Sequence, residues 1–319
     1  LALHGINTGV PGIYSYFRRM NEFAKKYFNP ILFLSTVLGF ILPQPGELSG
    51  PMILAVLCFI IFASSFKVDF SPDFFRAQTK TVVGFYIIRF ILLPLLLFWI
   101  VQPLSPFYAT ALFLLCILPC GVTSPAFSNV FKGNITLALA LLILSSSLTP
   151  LVLPSLSSLL MAETLKVDQF RLFATLFITV IFPYLAHLPV RRHQRISRWM
   201  RNHDSFISIF GIAVIFALAI AEYRPVLLTD TAQIVPYFII NLLAFLFLYV
   251  FGYGIFFRAN NANKVALLFS SGANNVALGV VVSFLYFPPE MGVFFVVSEI
   301  VWVLVLIPVR KLMLKLAGG

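Results

Sequence analysis

Ten apolar stretches, each bounded by proline, glycine or charge, take up most of this chain and leave only short segments between them. They run at about 30–43, 51–66, 78–101, 107–131, 134–160, 168–188, 204–221, 232–257, 262–287 and 290–314. A bilayer core takes about 20 apolar residues per helix. Ten spans therefore consume most of 319 residues and exclude a sizeable soluble domain. Composition agrees: 60% of residues are hydrophobic and 10% charged, which no soluble core can absorb. The expected fold class is an all-α polytopic membrane protein.

Charge placement orients the spans. With the N-terminus inside, eighteen of the 22 Lys and Arg fall on inner segments, five of them (Arg191, Arg192, Arg195, Arg198, Arg201) in one stretch over 189–203. The outer side holds Lys166, Arg171 and Arg224 beside Glu47, Glu163, Asp168, Glu222, Asp230 and Glu290. Both termini are thus expected in the cytoplasm, in the cell (inner) membrane. The net charge of +11 reads as this inside bias and not as nucleic-acid binding. No cleavable signal peptide is visible, and a monomer is expected.

The 189–203 stretch reads as a basic loop that anchors topology at anionic headgroups. It divides ten spans into two sets of five, and an odd set enters the membrane upside down relative to the other. That is the arithmetic of an inverted repeat. The expected organisation is an N-terminal segment 1–29, a first repeat 30–160, a region 161–203 holding the sixth span and the basic loop, and a second repeat over 168–316.

Two spans are broken at matching places. The fourth carries Pro119, Gly121, Thr123, Ser124 and Pro125 at its middle, and the ninth carries Ser270, Ser271, Gly272, Asn274 and Asn275. Proline and glycine remove ladder hydrogen bonds. Unwound backbone and half-helix ends then offer partial charges to a ligand. These ten residues are the candidate substrate region. Cys58, Cys116 and Cys120 read as small packing residues: no His, Asp or Glu lies near Cys116 or Cys120, and no metal is expected. Asn241 and Ser145-Ser146-Ser147 read as interhelical glue, and His187, His193 and His203 have no expected coupling role.

The chain resembles the bile acid:sodium symporter family. The resemblance rests on Pro119, Gly121, Ser124, Gly133-Asn134 and Pro150, on Gly272 with Asn274-Asn275, on Pro94, and on the run from Phe66 through Lys67, Asp69 and Asp73 to Phe74. It implies a panel domain of spans 1, 2, 6 and 7. It also implies a core domain of spans 3–5 and 8–10, whose broken fourth and ninth helices cross beside two sodium ions. Carried over residue by residue, the sodium ligands are replaced. A Ser-Asn pair becomes Ser124-Pro125, two hydroxyls become Ala138 and Leu142, an acid becomes Ser270, and a glutamine becomes Arg89; the amide survives as Asn274.

The sequence therefore predicts degenerate sodium positions, no cofactor, and Arg89 as a cation standing in for sodium. A mid-membrane arginine is costly without a partner. Glu299 is the one acid deep enough to neutralise it, or else it is a proton-coupling carboxylate. The expected function is a secondary carrier of an organic anion, bile-acid-like or a small carboxylate, working by alternating access without sodium. The alternatives are a sodium-coupled symporter with non-standard ligands and a non-transporting sensor or scaffold. No zinc-protease, paired-aspartate or nucleophile-elbow motif supports an enzyme.

Overall fold

The structure, a computed structural model, describes residue 23 and residues 27–66, 78–161, 168–229 and 231–317. The Lys67–Phe74 part of the family-like run, Lys166, Glu163 and Asp230 lie outside the described residues, as does nearly all of the 1–29 segment. Every regular element described is helical: α1 (Phe28–Ile41), α2 (Ser49–Ser65), α3 (Thr79–Tyr86), α4 (Leu93–Val101), α5 (Pro106–Ile117), α6 (Ser124–Val130), α7 (Ile135–Met161), α8 (Gln169–Leu176), α9 (Phe182–Val190), α10 (Gln194–Thr229), α11 (Thr231–Gly254), α12 (Asn261–Gly272), α13 (Val276–Tyr286) and α14 (Pro289–Ala317).

Among the described residues, seven helical stretches are long and apolar enough to cross a membrane, and three shorter apolar helices lie at Pro30–Ile41, Pro106–Ile117 and Val276–Tyr286. Large apolar side chains such as Phe33, Trp99, Leu243 and Val250 stand exposed on the outside of the bundle. In water such a surface would aggregate. In lipid it is the solvated face.

α3 joins α4, and α8 joins α9, through wide π turns at Ile87–Leu92 and Phe177–Ile181. Each π turn ends two residues before a proline, Pro94 or Pro183. The proline has no N–H for the preceding turn and its ring crowds the carbonyl four residues back, so the backbone widens there.

The contacts sort the helices into two groups. α10 packs chiefly against α1 and α2, and α2 also packs against α9. Gly39 of α1 lets that pair approach closely, since a Cβ there would lie 2.7 Å from the Ile220 Cβ. The second group has α4 on α5, α6 and α12 on α7, α11 between α12 and α14, and α13 on α14. The groups meet where α10 lies against α13 and α14, where α13 lies against α2, and where α7 lies against α8, which leads into α9.

The stretch expected as a basic loop is largely helix, because α10 already starts at Gln194. Gln and Arg are good helix formers. Ser197, Met200, His203 and Asp204 form the buried stripe, while Arg195, Arg198 and Arg201 point outward. The expected end of this span at residue 221 is likewise too early, and α10 runs on to Thr229 with Arg224 donating to the Phe40 and Leu42 carbonyls.

Candidate functional site: the crossing of two broken helices

Both interruptions are present, and they meet. α5 stops at Ile117 and α6 starts at Ser124; α12 stops at Gly272 and α13 starts at Val276. The unwound segments pair as a short antiparallel bridge, Cys120 opposite Asn274. Gly121 N donates to Ala273 O at 2.6 Å and Asn275 N to Pro119 O at 2.9 Å. Glycine is required at 121 by this approach, because a Cβ would lie 2.9 Å from Ala273 O and 3.0 Å from Asn274 O. Gly121→Ala is expected to push the strands apart and to lower stability by roughly 1–3 kcal/mol, read as a fall in melting temperature in detergent.

Of the ten candidate residues, Pro119, Gly121, Thr123, Asn274 and Asn275 lie in the breaks. Ser270, Ser271 and Gly272 form the last turn of α12, and Ser124 and Pro125 the first turn of α6. Ser124 and Pro125 thus open α6, directly after the unwound segment. Proline at the second helical position fits, since its missing N–H would find no partner there anyway.

The unwinding exposes carbonyls, and each has a named consequence. Leu115 O would accept from residue 119, but Pro119 has no N–H, so the Asn274 side chain donates to it at 2.8 Å. Cys116 O would accept from Cys120 N, which turns instead to Ser145 Oγ on α7 at 3.1 Å. Ser271 O would accept from Asn275 N, which is taken by Pro119 O.

Arg89 satisfies the last two. Its Nη1 donates to Cys116 O at 2.6 Å, and its Nη2 to Ser271 O at 2.8 Å and to Asn274 Oδ1 at 3.1 Å. Nε donates to Ser271 Oγ at 2.9 Å. The guanidinium is wholly buried and lies 4.8 Å from the Phe90 ring centre. It projects from the π turn between α3 and α4 into the point where the C-terminal ends of α5 and α12 converge. Each helix C-terminus carries about half a negative charge, so the pair matches one cation.

Arg89 and Glu299 do not pair. No salt bridge joins them among the described residues, and all of the arginine's bonds go to α5 and α12 and the break that follows α12. Backbone carbonyls and one amide, not an acid, hold the charge. The sequence could name Arg89 and Asn274, but the carbonyl partners at 116 and 271 carry no side-chain signal. Ser145, read only as glue, fixes the break by accepting from Cys120 N. Asn241 ties α11 to α14 by accepting from Ser298 Oγ at 2.6 Å.

Ala138 and Leu142 are buried in an apolar cluster on α7. Ser124 and Ser270 are fully buried, and their hydroxyls have no hydrogen-bond partner among the described residues. Among the described residues no group of three His, Cys, Asp or Glu could hold a metal ion.

The comparisons with known proteins point to membrane transporters. The chain is 24% identical to the protein named "Uncharacterized protein YbaS" of Bacillus subtilis, over 81% of this chain and 87% of that one. It is 25% identical to "Uncharacterized sodium-dependent transporter YocS" of the same organism, over 86% and 87%. It is 22% identical to the chloroplastic "Probable sodium/metabolite cotransporter BASS1" of Arabidopsis thaliana, over 66% and 53%. The family model described as "Sodium Bile acid symporter family" matches residues 53–229. The chain is therefore a multi-pass membrane protein, a secondary transporter and not an enzyme, that belongs to the sodium bile acid symporter family.

Proposed function

We propose that this chain carries an organic anion, bile-acid-like or a small carboxylate, by alternating access, and that Arg89 does the work of a sodium ion at the crossing. The observation that supports this most directly is the set of four donor bonds from Arg89 to α5 and α12 and the adjoining break. A sodium ion there would neutralise two helix C-termini and collect carbonyl oxygens. The guanidinium does both, and it cannot dissociate. An ion drives a cycle only by binding one conformation better than another, and a covalently attached charge offers no such difference to a sodium gradient.

The architecture behind this reading is ten spans in two inverted repeats, 30–160 and 168–316, with both termini cytoplasmic in the cell membrane. α1, α2, α8–α9 and α10 form the panel; the other helices form the core. The residues of the two breaks, with Ser124, Pro125, Ser270, Ser271 and Gly272 beside them, line the substrate region, and the carrier works as a monomer. The substrate charge is inferred from the family.

A second reading, a sodium-coupled symporter with non-standard ligands, has support of its own. Ser124 and Ser270 keep buried hydroxyls without partners, and two relatives have sodium in their names. One assay separates the two. Proteoliposomes are offered labelled taurocholate, benzoate and glutarate beside neutral and cationic analogues, in sodium and in choline at equal ionic strength and fixed pH. Anions are expected to enter in preference, at equal rates in both salts. A several-fold rise with sodium establishes the second reading, and equal uptake of cations removes the anion specificity. Binding at a true sodium site would also stabilise the fold by about 2.7 kcal/mol at a hundredfold excess over Kd, whereas no shift in melting temperature is expected here.

A further inference from the structure

Glu299 sits in the middle of α14, and the crossing leaves it unused. It is 5% exposed and forms no hydrogen bond or ion pair among the described residues. It faces a shallow, partly open crevice between α14, α13 and α10 that leaves no room for a water molecule. The walls are apolar: Ile212, Ile215 and Phe216 from α10, and Ala277 and Val280 from α13.

No charge faces it from the packed elements. α11, α13 and α2 contain no Lys, Arg, Asp or Glu. The tyrosines of these elements are engaged elsewhere. Tyr223 of α10 lies over Gly292, about two turns before Glu299. Tyr237 packs on Phe107 and Phe294, Tyr249 on Gly272 and Phe269, Tyr253 on Lys264, and Tyr286 bonds Thr175. The charged residues of α10 lie towards its two ends, Arg195 to Asp204 and Glu222 to Arg224. On α14, Glu290 precedes Glu299 by nine residues and Arg310 follows it by eleven.

We infer that the Glu299 carboxyl is a proton-binding site on the seam between α10 and the α13–α14 pair, and that the co-transported species is a proton. An ionised carboxylate without a donor or counter-charge is far costlier in such a dry apolar site than the neutral acid. The closed packing of α10 on α13 and α14 therefore accepts the protonated side chain. Separation of the two helix groups admits water to the crevice, where the carboxylate is solvated and releases its proton. The same motion that exposes a substrate path thus changes the affinity of one carboxyl for a proton, which is the difference between states that coupling requires. The inference rests on the carrier reading above, with α10 in the panel and α13 and α14 in the core.

The test has two arms. In the first, the purified full-length protein is treated with dicyclohexylcarbodiimide, which reacts with protonated carboxyls in apolar surroundings, and the labelled peptide is identified by mass spectrometry. Label is expected on Glu299 near neutral pH, falling several-fold towards about pH 9, with none on E299Q. This arm needs no known substrate, and its pH dependence is read on the wild-type protein alone.

In the second, uptake of taurocholate, benzoate and glutarate is driven by an imposed pH gradient, acid outside. Uptake of whichever anion enters is expected to rise several-fold with the gradient in the wild type, and that stimulation is expected to vanish in E299Q. Gradient-stimulated uptake retained by E299Q, or labelling of Glu299 that does not respond to pH, overturns the proton site. If none of the three anions enters, the carrier reading fails for these probes and the labelling arm alone decides on Glu299.

Discussion

Replacing Arg89 by Gln is expected to destabilise the protein by about 3–5 kcal/mol, the range for removing one partner from a buried charged network. Arg89 makes four bonds of 2.6–3.1 Å to three residues on two broken helices. Hydrogen bonds to charged groups contribute about 1.5–3 kcal/mol each, and a buried acceptor left alone costs about 1–3 kcal/mol. A glutamine amide is neutral and offers two N–H donors from one nitrogen, so at least two of the four acceptors lose their donor. The half charges at the ends of α5 and α12 then face each other uncompensated. Arg89→Lys keeps the charge but loses the planar fork, and an intermediate loss is expected. Sodium should rescue neither variant, because Ser270, Ala138, Leu142 and Pro125 supply too few oxygens. The measurement is reversible unfolding in detergent, with sodium and with choline. A change within about 0.5 kcal/mol, the size expected at an unimportant surface site, would show that Arg89 does not hold the crossing, and a sodium-dependent recovery of Arg89→Gln would restore a cation site to the protein.

Asn274→Leu is the second large effect. The amide is used at both ends: Oδ1 accepts from Arg89 Nη2 and Nδ2 donates to Leu115 O. Leucine is close in size but leaves one buried donor and one buried carbonyl without partners, and a loss of about 2–4 kcal/mol is expected. Asn274→Asp gives Arg89 a full counter-charge but removes the donor to Leu115 O, so it should fall between wild type and leucine. Arg89 and Asn274 belong to one network, so the double variant should lose less than the two single losses added together, by about 0.5–3 kcal/mol. Strict additivity would mean that the two residues stabilise the protein independently.

Much of this protein is legible from its residues alone. The apolar runs have to become membrane helices, since neither water nor a soluble core can take them. Pro119 and Gly121, and the Gly272-to-Asn275 run, have to interrupt two of those helices, because a proline supplies no N–H and polar side chains do not belong in lipid. Arg89 could be named as a buried cation by its apolar surroundings.

The rest was settled by tertiary contact. Sequence spacing does not say that Pro119 O receives Asn275 N, because backbone groups are alike at every residue and only the crossing brings these two together. For the same reason Arg89 looked as if it needed the acid of Glu299, when the helix ends themselves supply its negative charge through carbonyls that no residue type announces. The 189–203 stretch looked like a loop because it is basic. It is mostly helix because Ser197, Met200, His203 and Asp204 found a surface to bury against. For Glu299 the sequence allows a counter-ion or a proton site, and only the fold sets five apolar side chains of two other helices beside it, which a linear sequence cannot place there.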